Sequence, residues 1–455
     1  MRRPGIRSLA GGAAGIVAGV IGGIALASIS AASGLTPAAP GLDVAHVPPV
    51  LTRPGVGVTL RFAIVCPPRD DGRPCDGSGE VYTRAGQSGS FRRLTLSRGE
   101  DSGQGRYFVD LPPDIASARA GFSYYAVLRD DASGASVTLP AGGETAPQRS
   151  FPLRDAAEVS LGVHTFGNGR SPDERVVAAH WGSDVGEAGL AGSRDLGFSG
   201  PSSFDVAVDG TVAVLDQVNA RVERWSHRGV QAADVRVSGG LADFALEPGG
   251  SMDVLEPPNR MTPVPVLRSF REDGSVRWTQ RLSDRTWAKL AFGPAGPTVQ
   301  QEPSEQWLPV AEHGAALGRL AQAERGRPGR PFANDRELVV DRVGADELRL
   351  AELEGNTVRR SWRITSATAL GEVQLAEPHG NRVVVVTKAY TEDRSEYVVL
   401  VLDRYGIVNS LAVESLEWAE SAPLSRFRLS GGSLYRLGST RAGLFIDRFD
   451  VEVPR

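Results

Sequence analysis

The residues of this chain best suited to metal or nucleophilic chemistry are six histidines and two cysteines, and their spacing speaks against both chemistries. Zinc needs three or four donors converging at about 2 Å. His46, His164, His180, His227, His313 and His379 are scattered over more than 300 residues, with no HExxH pairing. Cys66 and Cys75 enclose Pro-Pro-Arg-Asp-Asp-Gly-Arg-Pro, which is not a redox CxxC. Two thiolates with no neighbouring histidine supply half a zinc shell. An isolated pair bracketing a turn-rich loop reads as a disulfide, worth ~2.5–3 kcal/mol in the chain-entropy account. The acidic cluster around it (Asp70, Asp71, Asp76, Glu80) does not have the spacing of an EF-hand loop and reads as a solvated turn. Residues 86–90, Gly-Gln-Ser-Gly-Ser, are not a nucleophile elbow, and no P-loop or dinucleotide fingerprint occurs. No cofactor or metal is expected.

The whole-chain balance narrows the partners. The formal charge is −4 over 455 residues and only Lys289 and Lys388 are lysines, so no basic field exists to attract nucleic acid. The N-terminus has the order of an export segment: Arg2, Arg3 and Arg7, an apolar Gly/Ala/Ile/Val stretch at 9–29, then small residues to 33. It is either a cleaved signal peptide or an uncleaved signal anchor, which is the one membrane contact expected. Residues 34–55 are Pro-rich and aperiodic, an extended linker. An extracellular or cell-envelope location follows.

Two all-β units are expected beyond the linker. Residues 56–153 contain about seven short runs divided by turns, which predicts a small immunoglobulin- or fibronectin-like β-sandwich. From 157 to 455 a repeat takes over. Strand–turn–strand units begin at Phe204, Asp243, Lys289, Pro331, Val373 and Phe427, and four carry alanine at one place: Ala207, Ala245, Ala291 and Ala376. Outer turns follow at Gly229, Gly274, Gly314, Gly355 and Gly406, spaced 45, 40, 41 and 51 residues apart. Four strands every 40–50 residues is the period of a propeller blade, so a six-bladed β-propeller is predicted. The sixth unit lacks a fourth strand, and Val159–Phe166 is expected to supply it by pairing with Gly443–Val451. On this map His227, His313 and His379 lie in different blades and cannot meet on one ion.

Residues 200–225, GPSSFDVAVDGTVAVLDQVNARVERW, resemble an NHL repeat. The resemblance rests on Asp205, the Asp209-Gly210 turn, and the Asp216…Asn219…Arg221 ending, and it covers about one blade. It implies a propeller and leaves the function open, since NHL propellers bind proteins, RNA or small ligands and a few are zinc-dependent lyases. Asp216, Asn219 and Arg221 are expected to hold a loop of their own blade.

In a four-stranded meander the loops after each second strand share one face with the connections between blades. Those loops are longer and more polar here, as on a binding face carried by a rigid scaffold. Asn259, Arg260, Asp341, Arg342, Lys388, Tyr390, Asp393 and Arg394 are the candidate contacts on it. The expected function is an exported binding or scaffold protein that recognises a protein, peptide or glycan through this face. The competing expectation is a lyase or hydrolase acting in the central funnel.

Overall fold

The computed structural model describes residues 42–65, 76–99, 105–193, 197–226, 228–233, 235–237, 240, 242–247, 249–260, 262–282, 287–293, 296–301, 305–312, 315–317, 328–333, 335–419 and 425–451. Residues 1–41, which include the segment read as an export signal, and Cys66, Cys75, His227 and His313 lie outside them. The described chain is all-β, with one short helix, Pro113–Ala116. No helix among the described residues is long and apolar enough to cross a membrane.

Toward the N-terminus, two sheets share one core. One orders Asp43–Ala45, Thr59–Val65, Arg106–Asp110 and Ser97–Arg98. The other orders Leu51–Thr52, Gln148–Pro152, Phe122–Asp130, Gly77–Ala85 and Arg92–Thr95, with Ser136–Leu139 also on Phe122–Asp130. Alternation decides the facing. Along Gly77–Ala85 every second residue is buried, as a strand with one covered face requires. Leu60, Phe62, Ile64, Val81, Phe122, Tyr124 and Leu128 meet in the core.

The linker expected at 34–55 is corrected from residue 43 onward. Asp43–Ala45 pairs antiparallel with Thr59–Val65, and Leu51–Thr52 pairs parallel with Phe151–Pro152. His46, assigned to that linker, instead stacks on Phe62 at 4.2 Å and bonds through its two ring nitrogens to the Arg61 carbonyl and the Tyr124 hydroxyl. Burial pushes its pKa down to about 4, against the raising effect of the Arg61 carbonyl.

The C-terminal two thirds is a succession of antiparallel meanders. The first sheet runs Ser203–Val206, Val212–Asp216, Arg221–Ser226, Gly229–Ala233, and the second Asp243–Leu246, Met252–Glu256, Val266–Phe270, Val276–Arg281. The third keeps Trp287–Gly293, Gly296–Gln301 and Gln306–Pro309, followed by a small separate hairpin at 311–316. The fourth comprises Arg330–Ala333, Arg336–Arg342, Glu347–Glu354 and Thr357–Thr365, and the fifth Ala369–His379, Arg382–Tyr390, Ser395–Asp403 and Gly406–Glu414. Phe427–Ser430, Ser433–Thr440 and Gly443–Asp450 begin the sixth. Outer turns use left-handed glycines such as Gly274 at φ 82°, a conformation that costs other residues strain.

The first strands of successive sheets touch one another in turn, except that the fourth sheet meets the fifth through its second strand, and the sixth sheet's first strand returns to that of the first. A closed ring of radially arranged meanders is a β-propeller. Apolar clusters lock the neighbours: Phe204, Val214 and Ile446 join the sixth sheet to the first, and Trp362, Leu350 and Leu400 join the fourth to the fifth. Among the described residues, the third and fourth sheets share no such cluster. There the N-terminal unit intervenes: Val50, Leu51, Phe151 and Leu153 pack on Val339, Ala351 and Leu353 of the fourth sheet.

The closing strand expected at Val159–Phe166 is also corrected. Ala157–Ser160 adds parallel to Thr357–Thr365 at the outer edge of the fourth sheet. The chain then crosses the fifth sheet, where His164 and the Gly167 N–H meet the Glu396 carboxylate at 2.8 and 2.7 Å, and Arg170 N–H bonds to Ala412 O at 2.8 Å. Glu174–His180 closes the ring by pairing antiparallel with Gly443–Asp450. Val159–Phe166 alternates apolar and polar residues, whereas Glu174–His180 carries four consecutive apolar residues, of which Val177 and Ala179 turn into the buried interface with the first sheet. Val163, by contrast, is 76% exposed. Replacing Val177 with aspartate buries an unpaired charge, so V177D should lose roughly 3 kcal/mol or more of stability. V163D should leave the denaturation midpoint unchanged. Equal effects of the two substitutions in chemical denaturation would refute this closure.

Candidate functional site

The inner strands create the chemical problem at the centre of the ring. Each has a partner on one side only, and a buried strand edge with bare N–H and C=O groups is costly. Ionisable side chains of the first, second and sixth sheets satisfy such edges in the first, second and third. Asp205 accepts the Leu246 N–H at 2.8 Å, and Asp243 accepts the Leu290 N–H at 2.7 Å. Asp243 is wholly buried and also receives the Ser203 and Ser425 hydroxyls, at 2.6 and 3.0 Å. Arg428, on the sixth sheet, donates to the Phe204 carbonyl at 2.9 Å and the Phe244 carbonyl at 3.0 Å. Its guanidinium lies 3.7 Å from both Asp205 and Asp243. Burial alone would lower the Arg428 pKa, but Asp205, Asp243 and Glu377 together raise it. Burial raises the Asp205 pKa, and Arg428 opposes that shift.

Beside this cluster the edges open onto a cavity of about 590 Å³, which Asp243, Ser425, Phe427 and Arg428 also line. Its other walls are the inner strands of the third, fourth and fifth sheets, Trp307 of the third, and Val47, Pro48 and Val50 of the N-terminal unit. Ion pairs stand along it: Lys289 with Glu372 at 3.3 Å, and Arg330 with Glu377. Asp341, at the end of Arg336–Arg342, also lines it. Burial pushes the Asp341 carboxyl up to about 6, opposed by the Arg349 guanidinium and by a hydrogen bond from the Leu51 N–H. Arg349 in turn donates to the Leu51 carbonyl at 3.0 Å, so both main-chain groups of Leu51 are held by side chains of the fourth sheet.

The remaining candidates sort into turns and ties. Asp209 accepts the Thr211 N–H at 2.9 Å, and Gly210 has φ 84°. Asp216 accepts the Gly189 N–H and an Asn219 side-chain N–H, each at 2.8 Å, while Asn219 also donates to Gly182 O. Arg221 donates to the carbonyls of Ser183, Asp184 and Glu187 and pairs with Glu223 at 2.8 Å. The three side chains therefore bind the segment before the first sheet, 182–189. Asn259 closes a turn on the Thr262 N–H, and Arg260 is exposed. Arg342 donates to Leu370 O at 2.8 Å. Lys388 lies 3.3 Å from Glu417, whose carboxylate also accepts the Tyr397 and Ser415 hydroxyls. Tyr390 is 37% exposed, and Asp393 and Arg394 pair at 3.8 Å in an exposed loop. Of the eight loop candidates only Asp341 and Arg342 reach the cavity.

Asp243, Arg428, Lys289, Arg330, Glu372 and Glu377 were not among the sequence candidates. Their signal was ionisable residues inside or beside the inner hairpins, where small and apolar residues otherwise recur. Among the described residues no group of three or more His, Cys, Asp or Glu is gathered to hold a metal.

No protein-family model matches the sequence, and no curated protein matches it. Among solved structures, the chain is similar to virginiamycin B lyase from Staphylococcus aureus (10% identity, 58% of this chain and 87% of the other, TM-score 0.32). It is also similar to a streptogramin B lyase (10% identity, 81% and 98%, TM-score 0.31) and to a eukaryotic initiation factor (12% identity, 83% and 96%, TM-score 0.24). Likenesses at these scores transfer no property, and the site is read from its own residues.

Two outcomes follow from this geometry. Arg428→Ala leaves buried carboxylates uncompensated and should cost about 3–5 kcal/mol in chemical denaturation; a loss under about 1 kcal/mol would contradict the role given to it. The raised Asp341 pKa contributes stability that is complete below about pH 4, the ordinary carboxylate range, and is lost as pH rises through about 6. Asp341→Asn should therefore be more stable than the parent by roughly 1–3 kcal/mol at pH 8 and converge with it near pH 4. Parallel stability–pH profiles for the two proteins would refute the shift.

Proposed function

We propose that this chain is an exported ligand-binding protein. In this reading the ring is a six-bladed NHL-type propeller, the N-terminal sheets form an immunoglobulin-like sandwich, and Cys66–Cys75 is a disulfide. The ligand, a protein, peptide or glycan, enters the funnel from the face that carries the second-strand loops. One observation carries the reading: the cavity of about 590 Å³ has the size of a ligand site and combines apolar walls with charged pairs. Entry from that face is supported by Asp341 and Arg342, which line the cavity and end the second strand Arg336–Arg342, next to the loop that follows it.

A second reading, a lyase or hydrolase working in the funnel, is favoured by Asp341, whose pKa of about 6 suits proton transfer near neutral pH.

Thermal unfolding against panels of short peptides and oligosaccharides separates the two. A binding protein should be stabilised by members of one panel that are recovered intact, and the shift should fall at least fivefold in Trp307→Ala. Chemical conversion of the stabilising compound, abolished in Asp341→Asn, would favour the enzyme. No stabilisation by either panel would count against the funnel as a ligand site. Sequencing the mature N-terminus and mapping unreduced peptides for a Cys66–Cys75 link test the export reading.

A further inference from the structure

Resting on the funnel as the ligand site, we infer that its ligand is a short extended peptide, captured through its main chain along the free edge of Ala369–His379. This strand is the inner member of the fifth sheet, paired only with Arg382–Tyr390. At 11 residues it is longer than the other inner strands, and residues 372–377 line the cavity. Six residues span at most about 20 Å at ~3.3 Å each, and the register irregularities between Leu370 and Val373 and between Val373 and Leu375 shorten the regular run, which leaves room to align a peptide of about four residues.

Three observations favour a peptide over other occupants. First, the edge is left open. Side chains cap the inner main chain at Phe204, Phe244, Leu246 and Leu290. Among the described residues no side chain caps the main chain of residues 373–376, and an open edge is the template for strand addition. Second, the cavity wall already holds one extended segment by this means, since Asp341 and Arg349 clasp the N–H and C=O of Leu51. Third, the ends of the open run are charged in both senses. Lys289 and Glu372 stand at one end, Arg330 and Glu377 at the other. Glu372 is 70% exposed, so its pair with Lys289 can open to receive a terminal ammonium or carboxylate. Val47 and Pro48 line the same cavity and supply apolar wall for side chains.

The test is affinity selection of a random pentapeptide library with free termini on the full-length protein, followed by calorimetry. Selected peptides should bind, and their analogues N-methylated at the two central amides should bind at least tenfold more weakly, since methylation removes donors while keeping the side chains. Val47→Asp, at a residue already 52% exposed, should leave the unfolding midpoint unchanged and weaken the same peptides about fivefold. N-methylated peptides that bind as tightly as their parents would overturn main-chain capture. Selection of no peptide, with chitopentaose binding instead, would overturn the inference while leaving the funnel as a ligand site. Failure of both would remove the funnel reading as well.

Discussion

The ring depends on how its inner strand edges are satisfied, and Arg428 is the residue on which two of them converge. A propeller removes exposed sheet edges at its perimeter but gathers others at its axis. In this protein a guanidinium from the sixth sheet reaches carbonyls of the first and second, and two carboxylates beside it take the Leu246 amide of the second sheet and the Leu290 amide of the third. The arrangement is economical in geometry, because one fork of donors reads two carbonyls on different strands. It is also fragile, since every charge in it needs another. Asp243 and Arg428 also line the cavity bordered by the third, fourth and fifth sheets, so the hollow side of the centre begins at the ion cluster itself.

The hollow side coincides with a second irregularity. Apolar clusters join each of the other neighbouring sheets, yet the third and fourth have none among the described residues, and the fourth sheet turns Val339, Ala351 and Leu353 toward the N-terminal unit. The N-terminal segment thus does the packing that a neighbouring sheet does elsewhere. It reaches the cavity wall as a consequence, so the ligand site proposed here is built by both parts of the chain.

Much of this was legible from local pattern. The inner hairpins, the outer turn glycines and the alternation of the N-terminal strands are properties of a few consecutive residues. What was not legible depended on the choice between equivalent partners. Val159–Phe166 alternates, but alternation says which side of a strand is apolar, not which edge it will join; Glu174–His180 has four consecutive apolar residues and no such alternation, so the strand that closes the ring carried no period-2 signal. Residues 43–52 look like linker because strands of two and three residues are too short to show a period. The site was misplaced for a related reason. Polar loops drew attention to Lys388, Asp393 and Arg394, whereas the charges around the cavity sit in strands that otherwise carry small or apolar residues.

The route of the chain before the first sheet also bears on the order of events during synthesis. Glu174–His180 emerges from the ribosome early, yet its partner, Gly443–Asp450, comes close to the end of the chain. Ala157–Ser160 likewise waits for Thr357–Thr365. Two β-rich segments therefore remain unpaired while some 200 to 270 further residues are made, and late pairing of this kind slows folding and favours association between nascent chains. A ring that cannot close until its last strand appears stays open, and threadable, for as long as translation lasts.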